Sequence, residues 1–439
     1  MNNEAFTTTF VVLGEVSNGI DSVKDVRTEL IYSKVGQILA KGIFYGDEET
    51  SRTLGRILLS GKAYFCGVWS PHSTSFDISF HVKNINFDRY EGRDKTDKLC
   101  EFTCGELEAE TSYHLGGDQS NKIEKLLIRY GIPKRRELFL PKFPEEWKKK
   151  LPEYRDWLEF ETTLGAMKIE RRTYSRMIAV ESKRGLFSFD ESILSFEVPA
   201  ENRDLNEVLM ESEHLVEDYL KLISFILQCE TKYYKQEVIY LNFEKQELKN
   251  ILRLVQRTEV KAMARPILFE LGTVDKLLKE LMPMFSTHIS KEDIAESILL
   301  FLGGIQSNYS EVRLILMQSA IETIANNLKR GLNLPIRHCE VCNSDLIPLK
   351  ESILQVVSSF ILEIEDIYPS VLADNQKTFP FIKYRNAIAH GRRNEIDYKD
   401  LSSELYRQQL LLERLIFHWI GFDARKVKYL KLWEGVKSY

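Results

Sequence analysis

The sequence predicts an α+β protein with a β-rich, sandwich-like N-terminal half followed by an all-α helical bundle. Two observations carry this expectation. Over roughly the first 200 residues, short segments rich in β-branched and aromatic residues alternate with Gly, Asn, Asp and Ser. Beyond about residue 200 the apolar residues recur at helical spacing, with recognisable helix starts and stops. A chain of 439 residues, 44% apolar and 28% charged, has the balance of a globular protein and is too long for one ordinary core. We expect a β-rich region at 1–243, divisible near 130–170, and a helical region at 244–439 whose core spans about 290–421.

The strand expectations run in order through TTTFVVLGEV, TELIYSKVGQILAKGIFYG, RILLSGKAYFCGVWS and SFDISFHVKNINF. A Lys- and Pro-rich stretch, GIPKRRELFLPKFPEEWKKKLPEY, follows. The alternation then returns in TYSRMIAVESKRGLFSFDESILSFEVP, as more of the same sheet or as a second one. NRDLNEVLMESEHLVEDYLKLISFILQCE predicts a helix, QEVIYLNF a strand, and the remainder helices.

In SEVRLILMQSAIETIANNLKRGLN the spacing puts Val312, Leu316, Ala320, Ile324 and Leu328 on one face, with Lys329 and Arg330 in the last turn before Gly331. The last long helix places Leu401, Leu405, Gln408, Leu412, Leu415 and Trp419 in alternating steps of four and three. Such a seam suits either a bundle helix or a contact with a second chain.

The stretch TFPFIKYRNAIAHG predicts a short helix, with Thr378 as cap, Pro380 in the first turn and Gly391 as a left-handed stop after His390. Asn386 and His390 then share a face, so that Asn386 can orient the imidazole, and Arg385 stands about 100° around the helix from Asn386. Ala387 and Ala389 leave room for close approach. A side chain titrating near neutrality and a fixed guanidinium are the parts that metal-free RNA cleavage needs. One moves the proton of a 2′-hydroxyl or leaving group, and the other stabilises the phosphorane oxygens. Lys383, Arg392 and Arg393 would extend a phosphate track beside them. The competing readings are a solvated surface helix whose terminal histidine is favoured by the helix dipole, and a charge cluster balanced by Glu395, Asp397 and Asp400.

R-N-A-I-A-H followed by Gly, on a late helix of a helical C-terminal region, resembles the Arg-polar-x3-His signature of the HEPN superfamily. The layout as a whole resembles the ApeA-like HEPN proteins of bacterial anti-phage abortive-infection systems. The likeness covers roughly residues 290–421, and in the β-rich half it is architectural only. It implies a metal-independent endoribonuclease that acts as a homodimer on cellular RNA, such as tRNA or mRNA, and leaves a 2′,3′-cyclic phosphate. Arg385 and His390 would be its catalytic pair, Asn386 the polar residue after the arginine, and Glu322 in "QSAIETI" the acidic residue of an earlier helix. The β-rich region would then sense or restrain, with a phage protein as trigger. Superfamily members without activity serve as binding or scaffold domains. The alternative is accordingly a non-catalytic module that binds RNA or a phage protein and dimerises through its helices.

RHCEVCNSD offers Cys339 and Cys342 at zinc-knuckle spacing, which is half a structural zinc site or simply two thiols. Catalysis of the expected kind needs no cofactor. His72, His81 and His114 show no spacing of a metal triad or catalytic pair. The sequence contains no phosphate-binding P-loop and no glycine-flanked hydrolase serine. With six cysteines, no apolar run of membrane-spanning length and no secretory pattern at MNNEAFTTTF, the expectation is a reduced, cytoplasmic protein without a membrane partner. A net charge of −5 means that any RNA contact is local rather than spread over the surface.

Overall fold

The computed structural model describes residues 7–33, 41–45, 48–60, 62–69, 76–90, 98–113, 122–132, 157–180, 183–200, 203–255, 274–331, 333, 337–338, 345–346, 349–360, 364–374, 378–392 and 396–423. It divides into two compact units. One comprises 1–216 with 232–258, and the other 217–231 with 259–439.

The first unit is built on antiparallel strands. These are β1 (Thr7–Ser17), β2 (Ser22–Ser33), β3 (Lys41–Tyr45), β4 (Tyr64–Trp69), β5 (Phe76–Tyr90), β6 (Lys98–Tyr113), β7 (Lys125–Ile132), β8 (Trp157–Thr162), β9 (Gly165–Val180), β10 (Lys183–Pro199), β11 (Lys235–Leu241) and β12 (Glu247–Val255). The pairing order is β3-β2-β1-β4-β5-β6-β12-β11-β7-β10-β9-β8, and β3 also pairs with β6. The first six strands therefore close on themselves, and the expectation of a sandwich is corrected to a ring of paired strands. Closure removes the exposed edges that a short strand such as β3 would otherwise present. β6 is long enough to serve twice. Lys98–Thr103 pairs with β3, and Glu106–Ser112 carries the ladder on to β12. TYSRMIAVESKRGLFSFDESILSFEVP continues this same ladder, as the greater part of the β9–β10 hairpin.

Period-two alternation fills the ring. Val12, Val16, Phe65, Phe80, Val82 and Phe102 point inward and are almost fully buried. Gly42 has to lack a side chain, because a Cβ there would lie 2.4 Å from the Phe102 ring. A helix, α1 (Glu48–Leu59), contributes Leu54, Ile57 and Leu58 to this core. Arg56–Leu59, expected as the start of a strand, thus ends a helix instead, because three apolar residues at helical spacing find the ring's interior. Glu247–Val255 is likewise a strand, although it was expected to open the helical remainder. Leu252 and Leu254 alternate into the core while Arg253 stays partly exposed.

α2 (Leu205–Leu227) runs from the first stretch of chain into the second unit, where α3 (Val274–Ser286), α4 (Lys291–Gln306), α5 (Ser310–Gly331), α6 (Leu349–Phe360), α7 (Pro369–Ala373), α8 (Pro380–Ala389) and α9 (Tyr398–Ile420) follow. A two-residue hairpin, β13 (Arg337–His338) with β14 (Asp345–Leu346), lies between α5 and α6. Phe225 packs edge-on against Phe301 and Phe417 near the middle of the bundle, with centroids 5.5 and 5.1 Å away.

Two expectations are revised here. On α5 the buried face is Leu314, Met317, Ile321, Ile324 and Leu328, whereas Val312 is 44% exposed. The polar Gln318 joins the inside because this helix packs on several neighbours rather than along one stripe. On α9 the seam from Leu401 to Trp419 is buried within the chain itself, with Gln408 donating to the Leu314 carbonyl at 3.2 Å. The seam is a bundle contact, and it offers no surface to a second chain. Its helix begins at Asp397, whose carboxylate accepts the Lys399 amide, and ends at Gly421 in the left-handed region with φ 94°. No helix among the described residues is long and apolar enough to cross a membrane.

Candidate functional site

The site helix α8 is ten residues long, too short to be stable alone. Both ends are held by specific contacts. Pro380 occupies the first turn, but the cap position is Phe379 and Thr378 makes no side-chain cap, contrary to expectation. The role passes to a distant carboxylate. Glu404 Oε1, on α9, accepts from the Phe381 amide at 3.1 Å and from the Tyr368 hydroxyl at 2.8 Å. The rings of Tyr368, Phe379 and Phe381 enclose this contact, with centroids 5.0–6.1 Å apart. Glu404 is 1% exposed, its Oε2 makes no hydrogen bond among the described residues, and Arg407 Nη1 stands 3.8 Å from it. Burial, opposed by the Tyr368 hydrogen bond and by Arg407, pushes the Glu404 carboxyl up to about 7.

The other end closes as a Schellman turn. His390, with φ −94° and ψ 9°, is the C-cap and gives its amide to the Asn386 carbonyl at 3.0 Å. Gly391, at φ +69°, takes the left-handed position, and the Arg392 amide reaches back to Ala387 O at 2.8 Å. The turn sets His390, exposed, at the C-terminal end of the helix.

Phe381 and Ala387 are the buried residues of α8, while Lys383, Arg385, Ala389, His390 and Arg392 are exposed. The room at Ala387 is thus taken up by the chain's own packing, and that at Ala389 is open. Asn386 is half-buried, and its Oδ1 accepts from Arg385 Nη1 at 3.3 Å. Its tie to His390 runs through the backbone. Glu322 is half-buried on α5, a helix that packs against α8, and its Oε1 accepts from Gln318 Nε2 at 2.9 Å. Asp397, one of the acids that the competing reading sets against the basic cluster, is engaged in capping α9. Arg393 and Glu395 lie outside the described residues, as do Cys339 and Cys342. Among the described residues no group of three or more His, Cys, Asp or Glu side chains is arranged to hold a metal ion.

The arrangement leaves three exposed cations and one imidazole as a basic rim spread around one helix rather than on one face, since Lys383 and Arg385 lie about 200° apart around it, and the helix is fixed at both ends. Such a rim can contact phosphate oxygens and move a proton at an accessible oxygen. Sequence reasoning missed Glu404. The signal was present, because Leu401, Glu404, Gln408 and Leu411 follow the i, i+3, i+7 and i+10 stripe of a buried helix face. A charged residue on such a stripe demands a buried partner.

No protein-family description matches the chain, and no curated protein matches it.

Proposed function

We propose that the helical unit is a HEPN-like endoribonuclease that cuts cellular RNA without a metal, and that the whole chain is an anti-phage defence effector. The observation that carries this reading is the fixed display of Arg385 and His390. Both are exposed, while the helix between them is held by Glu404 at one end and by the Gly391 turn at the other. In this reading His390 accepts the proton of the ribose 2′-hydroxyl. That oxygen then bonds to phosphorus, and the 5′-oxygen of the next nucleotide leaves and is protonated. The products are a 2′,3′-cyclic phosphate and a 5′-hydroxyl. Arg385 balances the charge on the pentavalent phosphate, Asn386 holds the Arg385 guanidinium, and Lys383 and Arg392 carry the adjoining phosphates.

Five residues along a helix turn about 140°, so the Arg385 and His390 of one chain do not face one another directly. A homodimer would supply the second set of groups for one cleft, with Glu322 as the acidic contributor from α5. The β-rich unit is the candidate for restraint, since an unrestrained nuclease would damage its own cell, and a phage protein is the candidate trigger.

The same divergence favours a second reading, in which the rim only binds RNA or a protein. One experiment separates the two. Purified protein and its His390→Ala variant are incubated with total cellular RNA in chelator, with and without lysate of infected cells. New cyclic-phosphate ends from the wild type alone support the nuclease. Salt-sensitive retention of RNA without new ends under both conditions supports the binder.

A further inference from the structure

We propose that Cys66 and His81, on the outside of the β-ring, form a thiol-modification site that accepts a small disulfide and ends as a mixed disulfide at Cys66. The two residues are direct partners across β4 and β5, with Cys66 Sγ 3.3 Å from His81 Nδ1. Their neighbours Phe65, Phe80 and Val82 are buried in the ring, so the alternation turns thiol and imidazole outward together. The pair lines a cavity of about 400 Å³, which is room for both halves of a small disulfide.

The walls of this cavity are of two kinds. Leu13 and Val68, paired across β1 and β4 and both more than half exposed, give an apolar side. Glu15, Lys24 and Asp25 give a charged one. A bulge in the β1–β2 pairing, with Asp25 at φ 57°, displaces Lys24 and Asp25 from the ladder. With Lys83, which acts on the thiol, and Glu108, which faces His81 across β5 and β6, three carboxylates stand against two lysines, and this favours a cationic disulfide over an anionic one.

The chemistry needs a base. Burial and then the Glu15 carboxylate push the Cys66 thiol up, against the pull of Lys83, so at neutral pH the sulfur keeps its proton. With the ring proton on Nε2, Nδ1 can accept it. In the reaction the Cys66 S–H bond breaks and its proton passes to Nδ1. The sulfur bonds to the nearer sulfur of the disulfide, the S–S bond breaks, and the departing thiolate takes up the proton. Cys66 is oxidised and the small disulfide reduced, so electrons balance without a further reagent. Cys104 provides an internal control. It is 3% exposed, with its thiol pushed up by burial to about 12, and stays unreactive while the ring is closed.

The test treats the full-length protein with cystamine, a cationic disulfide, and with oxidised glutathione, an anionic one. Adducts are read at each cysteine by peptide mass from pH 7 to 10. The expected result is an adduct at Cys66 and none at Cys104, formed faster with cystamine and reversed by a reducing thiol. At pH 7, His81→Ala and His81→Asn should react at about one-tenth of the wild-type rate or less, and the gap should narrow as the pH rises, where hydroxide can remove the thiol proton in place of the imidazole. Equal rates for wild type and both variants at pH 7, with Cys104 still protected, would overturn the proposal. So would an unmodified Cys66.

Discussion

Glu404 accepts the Phe381 amide at 3.1 Å, so the helix carrying Arg385 and His390 is anchored by a carboxylate twenty-three residues further along the chain. The same oxygen takes the Tyr368 hydroxyl. Replacing Glu404 by Ala leaves both donors buried and unpaired, at an expected cost of about 2–4 kcal/mol. Glu404→Gln keeps an acceptor in place and should cost less than about 1 kcal/mol. Urea unfolding of the two variants checks the contrast, and equal losses would remove the cap from the account.

Glu413 gives a pH signature. It is 2% exposed, and its Oε1 accepts from Gln228 Nε2 at 2.6 Å and from Gln409 Nε2 at 3.0 Å. Burial pushes its carboxyl up to about 7, against these hydrogen bonds and Arg414. The unfolded chain releases this proton near the ordinary carboxylate value of 4.5, whereas the folded chain keeps it to about 7. Folded protein therefore binds the extra proton in between, and stability falls as pH rises through that window, by up to roughly 3 kcal/mol. Glu413→Gln escapes this. It should come within about 1 kcal/mol of the wild type at pH 5 and exceed it by about 2–3 kcal/mol at pH 8. His418, lowered by burial, works in the opposite sense below its ordinary 6.5, but it is common to both proteins and cancels.

Adjacent glycines on α4 should behave differently. A Cβ on Gly304 would lie 2.9 Å from Met317 Cγ, whereas one on Gly303 would meet Leu316 Cδ1 at an ordinary 3.5 Å. Gly304→Ala is expected to destabilise by about 1–2 kcal/mol through overpacking. Gly303→Ala should be neutral or gain up to about 1 kcal/mol of helix propensity. Thermal melts of the two single variants test the α4–α5 contact.

RNA affinity should report the basic rim. Removing Lys383 or Arg392 should weaken binding alike across sequences, and each substitution should flatten the plot of log affinity against log salt by about 0.7. Unchanged slopes would place the RNA elsewhere on the chain.

Much of this architecture is legible in the sequence where the pattern is local. TTTFVVLGEV is β1, the helical period of α2 and α9 is plain, and R-N-A-I-A-H-G carries its own stop signal at Gly391. Non-local features are not. Closure of the ring depends on β3 finding β6, and Glu404 reaches α8 only once α9 has folded back. The Cys66–His81 pair exists only in one register of β4 against β5. The face of α5 was misjudged at Val312 because a helix with several neighbours buries more than one stripe.

The central claim is that Arg385 and His390 perform cleavage rather than support the fold. Both are exposed, so Arg385→Ala and His390→Ala should leave stability within about 0.5 kcal/mol of wild type. The decisive measurement is end-mapping of cellular RNA in chelator with these stability-matched proteins, together with the infected-cell lysate. The account predicts cyclic-phosphate ends from wild type, reduced about 100-fold or more in each variant. The same ends, at the same rate, from either variant would contradict it.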